Sequence, residues 1–154
     1  MTKSIWTIGY QGATMPAFLD ALRKAGVDMV VDVRAVVSSR RPGFSKNALA
    51  AHLDEVGIGY LHLRGLGTPA DGRAAAKSGK FDELRRIYSK TLKTEAAKED
   101  LDTLAGMVRG WNKVCLLCFE ADAAHCHRSM VVEALAKKIP LKAKNLSVVG
   151  EEAD

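Results

Sequence analysis

Within 14 consecutive positions, Cys115 to Arg128, the chain places all three of its cysteines, two of its four histidines, a glutamate and an arginine. These residue types at this spacing suit thiol chemistry on an anion. Cys126 stands just before a helical pattern, where unpaired backbone N–H groups and the helix dipole favour thiolates and bound anions. Cys126 or Cys118 is therefore the candidate nucleophile, with Glu120 or His127 to move protons and Arg128 to hold a negative group. Cys118, His125, Cys126 and His127 are also zinc-ligand types, although their spacing matches no familiar zinc pattern. Cys115 lies three positions before Cys118, so on a strand the two point to opposite faces. The Cys-x-x-Cys spacing is thus not that of a redox pair at a helix start.

Lys113 to Phe119 is the most apolar run of the chain and reads as the strand that carries the cluster, with Ser129 to Lys138 as the following helix. Upstream, Ser4 to Gly9 reads as a buried strand. Thr14 is then an N-cap, Pro16 sits in the first helical turn, and Gly26 closes a helix marked by Phe18, Leu19, Leu22 and Ala25. Met29 to Val33 is a second strand, Ala35 to Lys46 a long loop, Asn47 to Val56 a helix, and Ile58 to Leu63 a third strand. Gly65 to Gly79 reads as irregular, a mobile flap. Phe81 to Lys93 and Thr94 to Val108 are two amphipathic helices, and Leu146 to Val149 is a last short strand. Trp6, Trp111, Phe18 and Phe81 are assigned to packing, and His52 and His62 to structural or solvent-facing positions.

Alternating strands and helices imply a single α/β domain over residues 1–154, with a mostly parallel sheet of about five strands and helices on both faces. Right-handed crossovers then collect the loops after the strands on one edge. The residues gathered there are Gly9, Tyr10, Gln11 and Gly12, then Asp32, Arg34, Arg40 and Arg41, then Arg64 to Pro69, and finally Glu120 to Arg128. Asp32 in an apolar run needs a partner, and its alternation with Arg34 puts both on one side. Gly9, Gly12 and Thr14 before a helix resemble a phosphate-cradling turn but complete neither a Walker loop nor a Rossmann fingerprint.

A chain of 154 residues, 47% hydrophobic and 27% charged, is long enough to bury a core without disulfide staples. No apolar stretch approaches a membrane span and no signal peptide precedes the first strand, so the expectation is a cytoplasmic protein with free thiols or metal ligands. The net charge of +5 and the basic segment Arg34 to Lys46, followed by Arg64 and Arg73, fit an anionic small molecule or nucleotide as partner. Nucleic acid is the alternative from a different class, and a purely structural cysteine network is a third. The sequence names no cofactor and fixes no oligomeric state.

Thr7-Ile8-Gly9-Tyr10, Val31-Asp32-Val33-Arg34, Ser38-Ser39-Arg40, Phe44, Tyr60-Leu61-His62-Leu63 with Leu66-Gly67, and Cys118-Phe119-Glu120 with Cys126-His127-Arg128 together resemble the DUF488 family of small bacterial and archaeal proteins. Relatives often carry histidine then serine after the first glycine, where this chain has Tyr10-Gln11. The resemblance implies an α/β domain and supplies no reaction. The order of strand, cysteine loop, arginine and helix is loosely similar to that of rhodaneses and cysteine phosphatases, whose cysteine-to-arginine loop is tighter.

Overall fold

A computed structural model describes residues 2–110 and 112–148. Five strands form one all-parallel sheet in the order β3-β2-β4-β1-β5: β1 (Lys3–Gly9), β2 (Met29–Asp32), β3 (Gly59–His62), β4 (Val114–Cys118) and β5 (Leu141–Asn145). Six helices connect them: α1 (Met15–Ala25), α2 (Lys46–Glu55), α3 (Ala70–Lys77), α4 (Phe81–Thr91), α5 (Glu95–Arg109) and α6 (Arg128–Ala136).

Local chemistry sets these boundaries. The Thr14 hydroxyl accepts a hydrogen bond from Ala17 N–H, Pro16 occupies the first turn of α1, and Gly26 ends it in a left-handed conformation at φ 76°. Thr94 caps α5 in the same way through Ala97 N–H, which breaks the long amphipathic stretch into α4 and α5. Strand β4 is the middle of the sheet and all five of its residues are buried, which explains its unbroken apolar run.

Alternation along the strands divides the core into two layers. On one face, Ile8, Val30, Cys115 and Leu117 pack with Phe18 and Leu22 of α1 and Leu49 and Leu53 of α2. On the other, Ile5, Val31, Leu116 and Cys118 pack with Leu101, Leu104 and Val108 of α5 and Val131 and Leu135 of α6. Cys115 and Cys118 thus face opposite layers, as strand geometry requires. After β1 and β2 the chain crosses one face toward the β3 edge; after β3 and β4 it crosses the other face toward the β5 edge. Neighbouring strands β2, β4 and β1 therefore send their connections to opposite faces, and the crevice at their carboxyl ends is the natural ligand position of such a sheet.

Two expectations are corrected. Residues 65–79 are not an irregular flap: a 3-10 turn, Arg64–Leu66, leads into the regular helix α3. Pro69 before it, Asp71 in its first turn and Ala74 to Ala76 supply its helix-forming character, which the glycines at both ends obscured. The last strand is not Leu146 to Val149. The chain pairs with β1 from Leu141 to Asn145 instead, in register Lys3 with Leu141. This segment is an edge strand studded with Lys142 and Lys144, so it lacks the apolar signal that marks a buried strand. Leu146 and Val148 pack against the core layer under α1 and α2, while Val149, like Trp111, lies outside the described residues.

Candidate functional site

Strand β4 ends at Cys118, in register with Gly9 of β1. The two following loops run side by side: Tyr10 N–H donates to the Cys118 carbonyl at 3.2 Å and Gln11 N–H to that of Phe119 at 2.8 Å. Ala121 N–H returns a bond to the Gln11 side chain at 3.1 Å. The approach is so close that a Cβ on Gly9 would run into the carbonyl oxygen of Glu120. Gly9 and Gln11 thereby fix where the Cys118–Glu120 segment turns.

The chain then folds back through a 3-10 turn, Ala123–His125, and Cys126 arrives beside Cys118 just before α6. The two cysteines are joined as a disulfide with Cα atoms 7.4 Å apart, and Cys115 is the free cysteine. The expectation of free thiols therefore holds only for Cys115, whose pKa burial pushes far up. Sequence spacing hid the bridge because strand and helix, not neighbouring positions, bring its ends together.

Arg128 and His127 surround this pair. Arg128 N–H donates to Cys126 Sγ at 3.5 Å, so the first amide of α6 does face that sulfur. The Arg128 guanidinium reaches Cys118 Sγ at 3.1 Å and also donates to the carbonyls of Glu120 and, at 3.0 Å, of Ala121. Arg128 is fully buried, and its Nε has no hydrogen-bond partner. Burial lowers its pKa; the charges of Cys115, Glu120 and Asp122 act against that from further away. None of its direct partners is a carboxylate. His127, 7% exposed, donates from Nε2 to the Val33 carbonyl at 2.7 Å. Burial pushes its pKa down to about 4, so it is neutral near pH 7 with its only ring proton on Nε2. The bare Nδ1 lies 3.7 Å from Cys126 Sγ.

One strand away, Asp32 and Arg34 form a closed arrangement. Asp32 is fully buried and accepts from Arg34 Nε at 2.9 Å, Arg34 Nη2 at 2.7 Å and the Tyr60 hydroxyl at 2.5 Å. Arg34 also donates to the Phe44 carbonyl at 2.7 Å and to the Tyr10 hydroxyl at 3.5 Å, while His62 bonds its carbonyl oxygen at 2.8 Å. Burial opposes the charge on Arg34, yet the hydrogen bond and charge of Asp32 prevail and raise its pKa.

Both groups border a cleft of about 480 Å3, within the range that small-molecule sites occupy. Cys118, Glu120 and His127 line it from β4 and α6, Tyr10 from β1, Arg34 from β2, Arg40 from the long loop, and Arg73 and Lys77 from α3. Glu120 is its one acid, and burial raises its pKa. Among the described residues, Phe119 and Val36, 44% and 50% exposed, are the large exposed hydrophobics, and both border this cleft.

Of the residues singled out in the sequence, Cys118, Glu120, His127, Tyr10, Arg34 and Arg40 meet at the cleft. Cys126, Arg128 and Asp32 lie beneath them, supporting the lining groups. Gly9 and Gln11 serve the loop junction, and Arg41 turns inward, where its Nε donates to the Ala13 carbonyl. His125 points away, stacked on Phe81 at 4.1 Å between ring centroids. Sequence reasoning missed Lys77, Tyr60, Phe119 and Val36, and did not place Arg73 at the site. The helical character of α3 was the signal available for Arg73 and Lys77, which stand four residues apart on it. Tyr60 carried none beyond its place in a strand beside Asp32.

Among the described residues, no helix is long and apolar enough to cross a membrane. No curated protein and no solved structure matches the chain. The family model for a domain of unknown function, DUF488, matches residues 14–135, from the cap of α1 to the end of α6, and so takes in Asp32, Arg34 and the whole stretch from Cys118 to Arg128. By that match, over most of its length, the chain belongs to the DUF488 family.

Proposed function

We propose that this protein is a cytoplasmic, thiolate-dependent enzyme that binds a small phosphorylated or otherwise anionic substrate in the cleft at the carboxyl edge of its sheet. The observation that carries the reading is the lining of that cleft: Arg40, Arg73 and Lys77 converge around Cys118, against Glu120 alone. Arg34 contributes little net charge, because Asp32 neutralises it. In a reducing compartment the Cys118–Cys126 bridge opens to thiols. Cys118 then faces substrate, with Arg128 holding its thiolate form and neutral His127 turning its bare Nδ1 toward Cys126. Glu120, its pKa raised, is placed to exchange a proton with the bound ligand.

The long basic loop supports a nucleic-acid surface less well than it supports a cleft. Of its arginines, Arg34 is paired with Asp32 and Arg41 bonds the Ala13 carbonyl. The exposed faces of Phe119 and Val36 make nucleotides the first substrates to try, since a base can lie on such apolar surface. The test is a thermal-shift series on the reduced protein with inorganic pyrophosphate, ribose 5-phosphate and nucleoside monophosphates at low salt. Stabilisation by at least one of them, lost when Arg73 and Lys77 are both changed to Ala, is the expected result. No shift with any of them, or an equal shift in the double variant, contradicts the reading.

A further inference from the structure

We propose that, once reduced, Cys118, Cys126 and His127 form a site for a soft divalent metal ion of the zinc type, with the cleft as its fourth side. The inference goes beyond anion binding, because it is measured without any substrate. One ligand atom from each of the three residues falls within 4.8 Å of the other two, and all three residues are buried. Tetrahedral ligation with sulfur at about 2.3 Å and nitrogen at about 2.0–2.1 Å asks for ligand separations of about 3.5–3.8 Å, well inside that limit, so the two sulfurs, bonded to each other here, part on reduction to take an ion between them. Two thiolates and an imidazole are the donor set that selects zinc and its cobalt surrogate over harder ions.

Three features of the surroundings fit ligation. First, the Val33 carbonyl only accepts, so His127 must donate from Nε2 at 2.7 Å, which leaves Nδ1 bare on the side of Cys126. A carbonyl holding the far N–H is how ligating imidazoles are oriented. Second, the Cα atoms of Cys118 and Cys126 stand 7.4 Å apart. Settled bridges keep that distance within roughly 4.4–6.8 Å, whereas two cysteines sharing an ion stand further apart. Third, the sulfurs receive donors of their own, from the Arg128 guanidinium at 3.1 Å and the Arg128 amide at 3.5 Å, the outer contacts that tune bound thiolates.

The set also stops at three. His125, the fourth ligand type in the sequence, is exposed, stacked on Phe81 and 3.5 Å from Asp122. Three protein ligands with a remaining open position are characteristic of catalytic rather than structural zinc. Here Cys118 and His127 both line the cleft beside Glu120, so the remaining position faces the substrate space. A divalent ion with two thiolates is neutral, and buried Arg128 leaves the locality at one positive charge, which favours an anion there. With the ion bound, Cys118 acts as ligand rather than nucleophile.

Loading balances in two steps. A dithiol reductant is oxidised to its own disulfide, breaking the Cys118–Cys126 bond and leaving two thiols. The ion then displaces both thiol protons, which leave to solvent. The experiment uses the full chain without a histidine tag, reduced, dialysed and titrated with Co2+. One Co2+ per chain with thiolate-to-cobalt charge-transfer absorption is expected. It should disappear in Cys118→Ser and Cys126→Ser, weaken at least tenfold in His127→Gln, and persist in Cys115→Ala. Adding inorganic phosphate should shift the cobalt ligand-field bands. Absence of stoichiometric Co2+ and Zn2+ in protein shown folded by circular dichroism overturns the site, and unchanged bands on adding phosphate overturn the cleft as its fourth side. Should the serine variants fold poorly, iodoacetamide labelling of the wild type decides. Zn2+ should protect Cys118 and Cys126, and equal labelling with and without Zn2+ refutes the proposal.

Discussion

Arg34, just beyond β2, and Arg128, at the start of α6, are both buried beside one edge of the same sheet, yet only Arg34 touches a carboxylate. Around Arg34 the donors and acceptors are matched: Asp32 takes its charge, the Phe44 carbonyl takes a further N–H, and Tyr60 and His62 close the outer positions. Around Arg128 they are not. Its guanidinium ends on two carbonyls and a sulfur, its Nε has no partner, and the nearby imidazole of His127 keeps a bare nitrogen. A buried cation without an acid calls for negative charge from elsewhere, as a thiolate or a bound anion. The contrast teaches that the Asp32–Arg34 group shapes and supports the cleft, while the Cys118–Arg128 group retains the unsatisfied chemistry.

If that division is right, the largest loss of stability should come from Asp32→Ala. It strands the charge of Arg34 and should lower unfolding free energy by about 3–5 kcal/mol, read from urea denaturation. A loss below about 1 kcal/mol would remove the supporting role of the pair. Tyr60→Phe is the next step down, about 1.5 kcal/mol for one hydrogen bond to a charged group. It carries a pH signature as well. Burial first, then the hydrogen bond and charge of Asp32, raise the pKa of the Tyr60 hydroxyl. A raised folded pKa leaves that contribution whole below the unfolded value of about 10 and removes it as pH climbs further. Wild type should therefore lose stability above pH 10 more steeply than Tyr60→Phe, and parallel curves would break the assignment.

Arg128→Met should disturb the fold least, by about 1 kcal/mol or less, since it replaces a buried cation that has no acid with apolar volume. Its effect should fall on the thiol instead. Loss of the guanidinium from Cys118 Sγ removes the positive charge that favours its thiolate and should slow alkylation at neutral pH about tenfold. A variant that unfolds as readily as Asp32→Ala would erase the difference between the two arginines.

Much of this contrast was readable in the sequence, and the remainder was hidden for physical reasons. Strand alternation sent Cys115 to one layer and Cys118 to the other, and it put Asp32 and Arg34 together. Crossover handedness gathered the loops of β1, β2 and β4. The caps at Thr14 and Gly26, and the break between two helices at Thr94, stood where the helices begin or end. What escaped were contacts made in three dimensions by residues without a local pattern. Tyr60 meets Asp32 across neighbouring strands, Cys126 meets Cys118 through a turn whose shape no spacing rule gives, and Lys77 rides on a helix flanked by misleading glycines. Strand β5 escaped because an edge strand rich in lysine carries no periodic apolar signal.

The most direct measurement is the rate of iodoacetamide labelling at each cysteine of the reduced, metal-free protein, resolved by mass spectrometry from pH 5 to 9, in wild type and Arg128→Met. The account requires Cys118 to react well below pH 8 in wild type, to slow in the variant, and Cys115 to stay silent throughout. Labelling of Cys118 only in the range of an ordinary thiol, unchanged by the loss of Arg128, would contradict it.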